Sequence, residues 1–109
     1  FFTEIQNPAL RWSFTANHAH FLPGVGIEKF IDAMDFSLCC EVRLADNNGS
    51  YESHLQPGEG SIDFGAMFKK IEGLGYKGHY TNGFGSIDDM LIGRDYMVAR
   101  AKDAGVLIN

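Results

Sequence analysis

The chain has 109 residues, 45% of them hydrophobic and 21% charged, with a formal net charge of −5. This is the composition of an ordinary globular domain, and it argues against nucleic-acid binding, which needs a clustered basic patch, because Lys69-Lys70 is the only adjacent basic pair. No apolar run is long enough for a membrane span or a signal sequence, so no membrane partner is expected and the expected location is cytoplasmic.

Three strand-to-helix units follow one another without a linker, so residues 1–109 read as one domain or part of one. In the first unit, residues 10–16 have strand character and residues 17–20 (Asn-His-Ala-His) follow as a loop. Ile27, Phe30, Ile31 and Met34 then fall at helical spacing. The second unit has a strand over residues 38–44, a long polar loop, and a helix with Phe64, Met67, Phe68, Ile71 and Leu74 on one face, ended by Gly75. Cys39 and Cys40 are adjacent in that strand and point to opposite faces; they are expected to be buried, reduced thiols rather than partners. The third unit has a short strand over residues 80–82. A capping-box pair, Ser86 and Asp89, then opens a helix whose expected apolar stripe is Ile87, Met90, Leu91, Met97, Val98 and Ala101.

Strands alternating with amphipathic helices imply an α/β fold with parallel strands joined by right-handed crossovers. All three strand C-termini then open on one side, which is where chemistry sits in such folds. His18, Arg43, Asp46, His54 and Asn82 are expected there.

The segment RLADNNGSYESHLQPGEGSIDF, from Arg43 to Phe64, carries a strand ending in an acid, an Asn-Asn-Gly turn, Glu52-x-His54, the Pro57-Gly58-Glu59-Gly60 turn, and Ile-Asp-Phe opening a helix. It resembles the xylose-isomerase-like TIM-barrel superfamily of sugar phosphate isomerases and epimerases and family 2 AP endonucleases. The resemblance implies a partial (β/α)₈ barrel made of the three C-terminal βα units. A full barrel takes roughly 250 residues. With Phe1-Phe2 and no Met at its start, the chain is read as a fragment, a truncated product, or a small protein completed by association. A homo-oligomer or an N-terminal partial-barrel partner is expected, with an apolar interface, because Phe14, Cys39, Val42 and Leu44 would have lost the rest of the barrel.

The resemblance also has departures. Where the superfamily has Asp-x-x-His the chain has Thr15-Ala16-Asn17-His18, and where it has His-x-x-Asp the chain has Arg43-Leu44-Ala45-Asp46. The Glu expected at the third strand end is replaced in Thr81-Asn82-Gly83. The resemblance leaves His18, Glu52 and His54 as a residual set for Zn or Mn, with binding expected to be weak or absent. The alternative is that these imidazoles only bond loop backbone. Arg43, Asp46 and Asn82 are the expected substrate contacts, and His54 and Glu59 the proton-transfer candidates. Arg43 has two readings, a carboxylate or phosphate contact or an internal ion pair with Asp46 or Glu52. The glycine-containing turn before the last helix is expected to offer N–H groups to an anion. What the resemblance implies overall is part of a sugar isomerase or epimerase-like protein that moves a proton next to a carbonyl of a small sugar-like, polyhydroxylated substrate. The isolated chain is expected to be inactive. A catalytically degenerate barrel piece serving in assembly or ligand binding is the other reading. AP endonuclease activity is set last for want of zinc ligands and a basic surface.

Overall fold

A computed structural model describes residues 11–21, 24–47, 49, 55–82 and 85–108. The elements are β1 (Trp12–Thr15), α1 (Ala16–Phe21), α2 (Gly26–Ala33), a 3₁₀ turn (Phe36–Leu38), β2 (Cys39–Leu44), α3 (Phe64–Gly73), β3 (His79–Asn82) and α4 (Ile87–Asp103). The strands form one parallel sheet in the order β1-β2-β3.

Burial divides the sheet into two unlike faces. Trp12, Phe14, Cys39, Val42 and Leu44 are buried on the helical side, where Ile27 and Ile31 of α2 and Phe64, Met67, Phe68 and Ile71 of α3 complete the core. Strict alternation would not bury both Cys39 and Val42. The ladder solves this by skipping Cys40: Trp12 pairs with Cys39 and Ser13 with Glu41. Cys40 is thus the extra residue of a bulge. It is exposed, contrary to the expectation for both thiols, and both cysteines are free.

Local chemistry explains the helix boundaries. Asp63 caps α3 by accepting from the Ala66 N–H at 3.1 Å, and Gly75, just beyond its end, takes the positive φ of 82° that a C-terminal cap needs. Ser86 and Asp89 form the expected capping box on α4.

Two expectations are corrected. Residues 17–20 are not a loop but lie in α1, because Ala16 and Ala19, one turn apart, are buried against the core. On α4 the expected Met97 and Ala101 are buried together with Gly93, while Ile87, Leu91 and Val98 of the expected stripe are exposed, as is Ile92. Small residues decide the choice, since they let backbones approach. A side chain built on Gly65 in α3 would meet the Arg100 carbonyl of α4 at 3.2 Å, and one on Gly93 would strike the Asn82 amide. The four sheet residues expected to be left uncovered, Phe14, Cys39, Val42 and Leu44, are all buried beneath the helices.

Tyr80 packs edge-on against Phe68 at 5.1 Å and Tyr76 at 5.4 Å between ring centroids. Burial pushes the Tyr76 phenol up to about 12. Burial, then the 2.8 Å hydrogen bond to Glu72, pushes Tyr80 up as well. Both phenols hold their proton more tightly in the folded chain. Their contribution to stability is therefore complete below the ordinary phenol value of about 10 and is lost as pH rises through the folded-state values. Absorbance at the phenolate band and circular dichroism recorded across an alkaline titration should show these two tyrosines ionising only above the ordinary range and together with loss of structure. Ionisation of all the tyrosines near pH ~10 with the fold intact would contradict the packing described.

Candidate functional site

The loop after β2 is built around one carboxylate. Asp46 is 1% exposed, and its Oδ1 accepts from the N–H groups of Asn47 at 2.9 Å and Ile62 at 3.1 Å, while Oδ2 accepts from those of Gly58 and Gly60, both at 3.0 Å. Its own backbone pairs with Leu55 in both directions, at 3.0 and 2.8 Å. The chain leaves after Asp46, returns at Leu55, and wraps its next residues around the carboxylate. Pro57-Gly58 makes the wrap possible: Glu59 N–H bonds Gln56 C=O at 2.9 Å, and Gly58 supplies a φ of 100°, the combination a type II turn requires. Gly60 has no room for a side chain, since a Cβ there would strike the Asp46 carboxylate and the Asn47 carbonyl.

Asn47 extends the network. It is fully buried, its Nδ2 donates to the Asn17 carbonyl at 2.6 Å, and its Oδ1 accepts from Gly49 N–H at 3.0 Å. His20 Nε2 lies 2.8 Å from Ser61 Oγ. The ends of the first two units are thereby joined by side chains, as the shared polarity of parallel strands requires.

All the described site residues lie at the C-terminal end of the sheet, but they do not face one space. Asp46 is consumed by backbone N–H groups and acts as the organiser of its loop, not as an open contact. Asn82 aligns with Leu44 on the helical side, where its Nδ2 donates to the Met90 carbonyl of α4 at 3.0 Å. Arg43 is on the opposite, open face, where it pairs not with Asp46 but with Glu41, its Nε 3.0 Å from Glu41 Oε2. Glu59 is exposed on the turn. His18 is exposed and, with Ser13, Thr15, Ala19 and Phe30, lines a shallow depression of about 180 Å³. Glu52 and His54 lie outside the described residues.

One further expectation changes with this geometry. The start of α4 was expected to receive an anion, yet Asp89 already accepts from the Ser86 N–H and hydroxyl, both at 2.9 Å. The protein supplies its own negative charge at that helix end. For a divalent ion, no group of three His, Cys, Asp or Glu side chains with suitable geometry occurs among the described residues. Arg43, cationic at any reachable pH, stands where the superfamily pattern has an imidazole. Of the three expected ligands only His18 is among the described residues.

Sequence reading missed Glu41. It is joined on the open face by Ser13 Oγ at 2.9 Å, Arg43 Nε at 3.0 Å and Thr81 Oγ1 at 3.2 Å, one donor from each strand. These bonds, that of Ser13 foremost, hold its carboxyl below the usual carboxylate range. The signal was available in the alternation: Glu41 and Arg43, two apart in a strand, must share a face.

Comparison with solved structures gives a match to a D-tagatose 3-epimerase-like protein, at 25% identity and a TM-score of 0.71, covering 88% of this chain and 36% of that one. The described residues have the fold of part of a TIM barrel. This likeness supports a place in the xylose-isomerase-like TIM-barrel superfamily. No family model matches the chain, and no curated protein matches it either. The chain spans about a third of the length of the epimerase-like structure, at 36%. No helix among the described residues is long and apolar enough to cross a membrane.

The Asp46 network generates a mutational test. Asp46→Ala should destabilise the chain by roughly 2–4 kcal/mol, because several N–H groups lose their acceptor at once. Asp46→Asn should cost nearly as much, since one half of the amide would point its own hydrogens at two N–H donors. Amide hydrogen exchange should accelerate at Gly58, Gly60 and Ile62 before it does in β2. Unchanged protection of those three amides would show that the carboxylate does not hold the loop.

Proposed function

We propose that this chain is the C-terminal part of a sugar isomerase or epimerase-like protein acting on a small polyhydroxylated molecule by proton transfer next to a carbonyl. The observation that carries this reading is the likeness to the D-tagatose 3-epimerase-like protein. It is joined by a polar sheet face, centred on Glu41 and Arg43, on the side away from the helices. In a TIM barrel the helices form the outer ring, so that face belongs to the interior and its strand ends to the substrate. Arg43, its charge balanced by Glu41, then offers its remaining N–H groups as hydrogen-bond donors to a carbonyl or hydroxyl oxygen. His54 and Glu59 are the proton-transfer candidates that this reading retains. The exposed Ile87, Leu91, Ile92 and Val98 of α4 support association through the helical layer, with an N-terminal partial barrel or a second copy.

A specific observation favours a second reading, in which the barrel is catalytically degenerate and serves in ligand binding or assembly. Thr15, Arg43 and Asn82 occupy positions where the superfamily pattern has ligands or a carboxylate, and Asp46 is bound up by its own loop.

Incubation with ketohexoses in heavy water, with the chain joined to N-terminal βα units that complete a barrel, separates the two. Deuterium entering the sugar next to its carbonyl, and lost with Arg43→Gln, supports the enzymatic reading; sugar binding without exchange supports the degenerate one. Neither binding nor exchange would overturn both. Elemental analysis after dialysis addresses the metal independently, with no stoichiometric Zn or Mn expected. A tightly held ion would mean that ligands outside the described residues dominate.

A further inference from the structure

The open sheet face carries two rows of polar side chains in register. Ser13, Glu41 and His79 form one row, and Thr15, Arg43 and Thr81 the next. What separates this patch from an ordinary solvated surface is that Glu41 orients it. A hydroxyl has one hydrogen to give. Ser13 and Thr81 both donate theirs to Glu41, which leaves each oxygen able only to accept from whatever lies above. Arg43 gives its Nε–H to the same carboxylate, and its side chain is 61% exposed with its Nη groups beyond that bond. The result is a fixed pattern of acceptor, donors and acceptor across three strands.

Resting on the sugar-directed reading above, we propose that this platform is the ligand-contacting surface of the chain, that it takes an uncharged polyol, and that Glu41 is its positioning residue. A polyol suits the pattern because each hydroxyl both donates and accepts: neighbouring hydroxyls can give to Ser13 and Thr81 and receive from Arg43. The charge balance selects against anions. The guanidinium is already compensated by Glu41, so a phosphate or carboxylate arriving at Arg43 meets a carboxylate 3.0 Å away. The start of α4 is likewise closed to anions by Asp89. Glu41 remains ionised well into the acid range because its bonds favour the charged form, so the pattern persists at any ordinary pH.

The test is a nitrogen-15 NMR titration of the whole chain with D-fructose, D-fructose 6-phosphate and inorganic phosphate. D-Fructose should shift the Arg43 Nε–H signal and the amides of Ser13 and Thr81. The phosphate ester should bind no more tightly than the free sugar, and inorganic phosphate should leave Arg43 unmoved. Glu41→Gln should weaken fructose binding about tenfold, the scale of losing bonds to a charged group; Thr81→Val, which leaves the ion pair in place, should weaken it by a smaller factor. Four results would overturn the proposal: fructose shifts confined to residues 55–62, tighter binding of phosphate or the ester at Arg43, unchanged affinity in folded Glu41→Gln, or no shifts at all. The first of these would leave the sugar-directed reading standing while removing the platform, and the last would remove both.

Discussion

The arrangement of the sheet's functional end depends on one buried carboxylate satisfied by backbone. Four N–H groups converge on Asp46, and a buried charge is tolerable only when so met. The requirement propagates outward. Gly58 must accept a positive φ, Gly60 must lack a side chain, and Pro57 must preset its turn. Ile62 is drawn in by the last of the four bonds, which delivers Asp63 to the position where it caps α3. Asn47, next to Asp46, then ties this loop to the end of the first unit through the Asn17 carbonyl. A change at Asp46 would therefore be felt at the start of a helix and at a neighbouring strand end alike.

This has a consequence for what the loop motif means. Asp46 and the Pro57-Gly58-Glu59-Gly60 turn are among the residues that make the sequence resemble sugar isomerases, and four of them, Asp46, Pro57, Gly58 and Gly60, do structural work. The resemblance is thus strong testimony for the fold and weak testimony for the reaction. The positions that bear on chemistry, Thr15, Arg43 and Asn82, are the ones that depart from the pattern. A barrel can keep its loop architecture while its interior charges are rewritten, because the two are held by different side chains.

The strands and main helices were legible because their signals are local. Strand character over residues 10–16 and 38–44 placed β1 and β2, and the Ser86–Asp89 spacing identified the start of α4. Features that depend on a partner elsewhere were not legible. The six-residue helix α1 rests on Ala16 and Ala19 finding a core, and so short a segment has no helical signal of its own. On α4 Met97 and Ala101 were correctly assigned to the buried stripe, but Gly93, which has no apolar side chain to signal it, is buried by its close approach to Asn82, and Ile87, Leu91 and Val98 are exposed. Site residues followed the same division. Asp46 was found from its motif and expected to contact a substrate, whereas its part in organising the loop rests on four converging N–H groups that no sequence pattern displays. Asn82 was placed at the correct strand end but turns to the helices, and Glu41, whose importance lies wholly in cross-strand bonds, was passed over.

The two faces of the sheet finally constrain how the chain could be completed. A parallel sheet normally buries both faces, and an apolar one left bare would drive association indiscriminately. Here the uncovered face presents Ser13, Thr15, Glu41, Arg43, His79 and Thr81, and its charged members are already paired. Such a face can stand in water at little cost, so it supplies no strong force for closing a barrel. Among the described residues the largest group of exposed apolar side chains lies instead on α4, at Ile87, Leu91, Ile92 and Val98. If other βα units join this chain, the energy of joining comes from helix packing at the outside, and the polar interior is left free to be shaped by whatever it binds. The separation is physically sensible. An interior that had to supply the cohesion would need side chains too apolar to recognise a hydroxylated ligand.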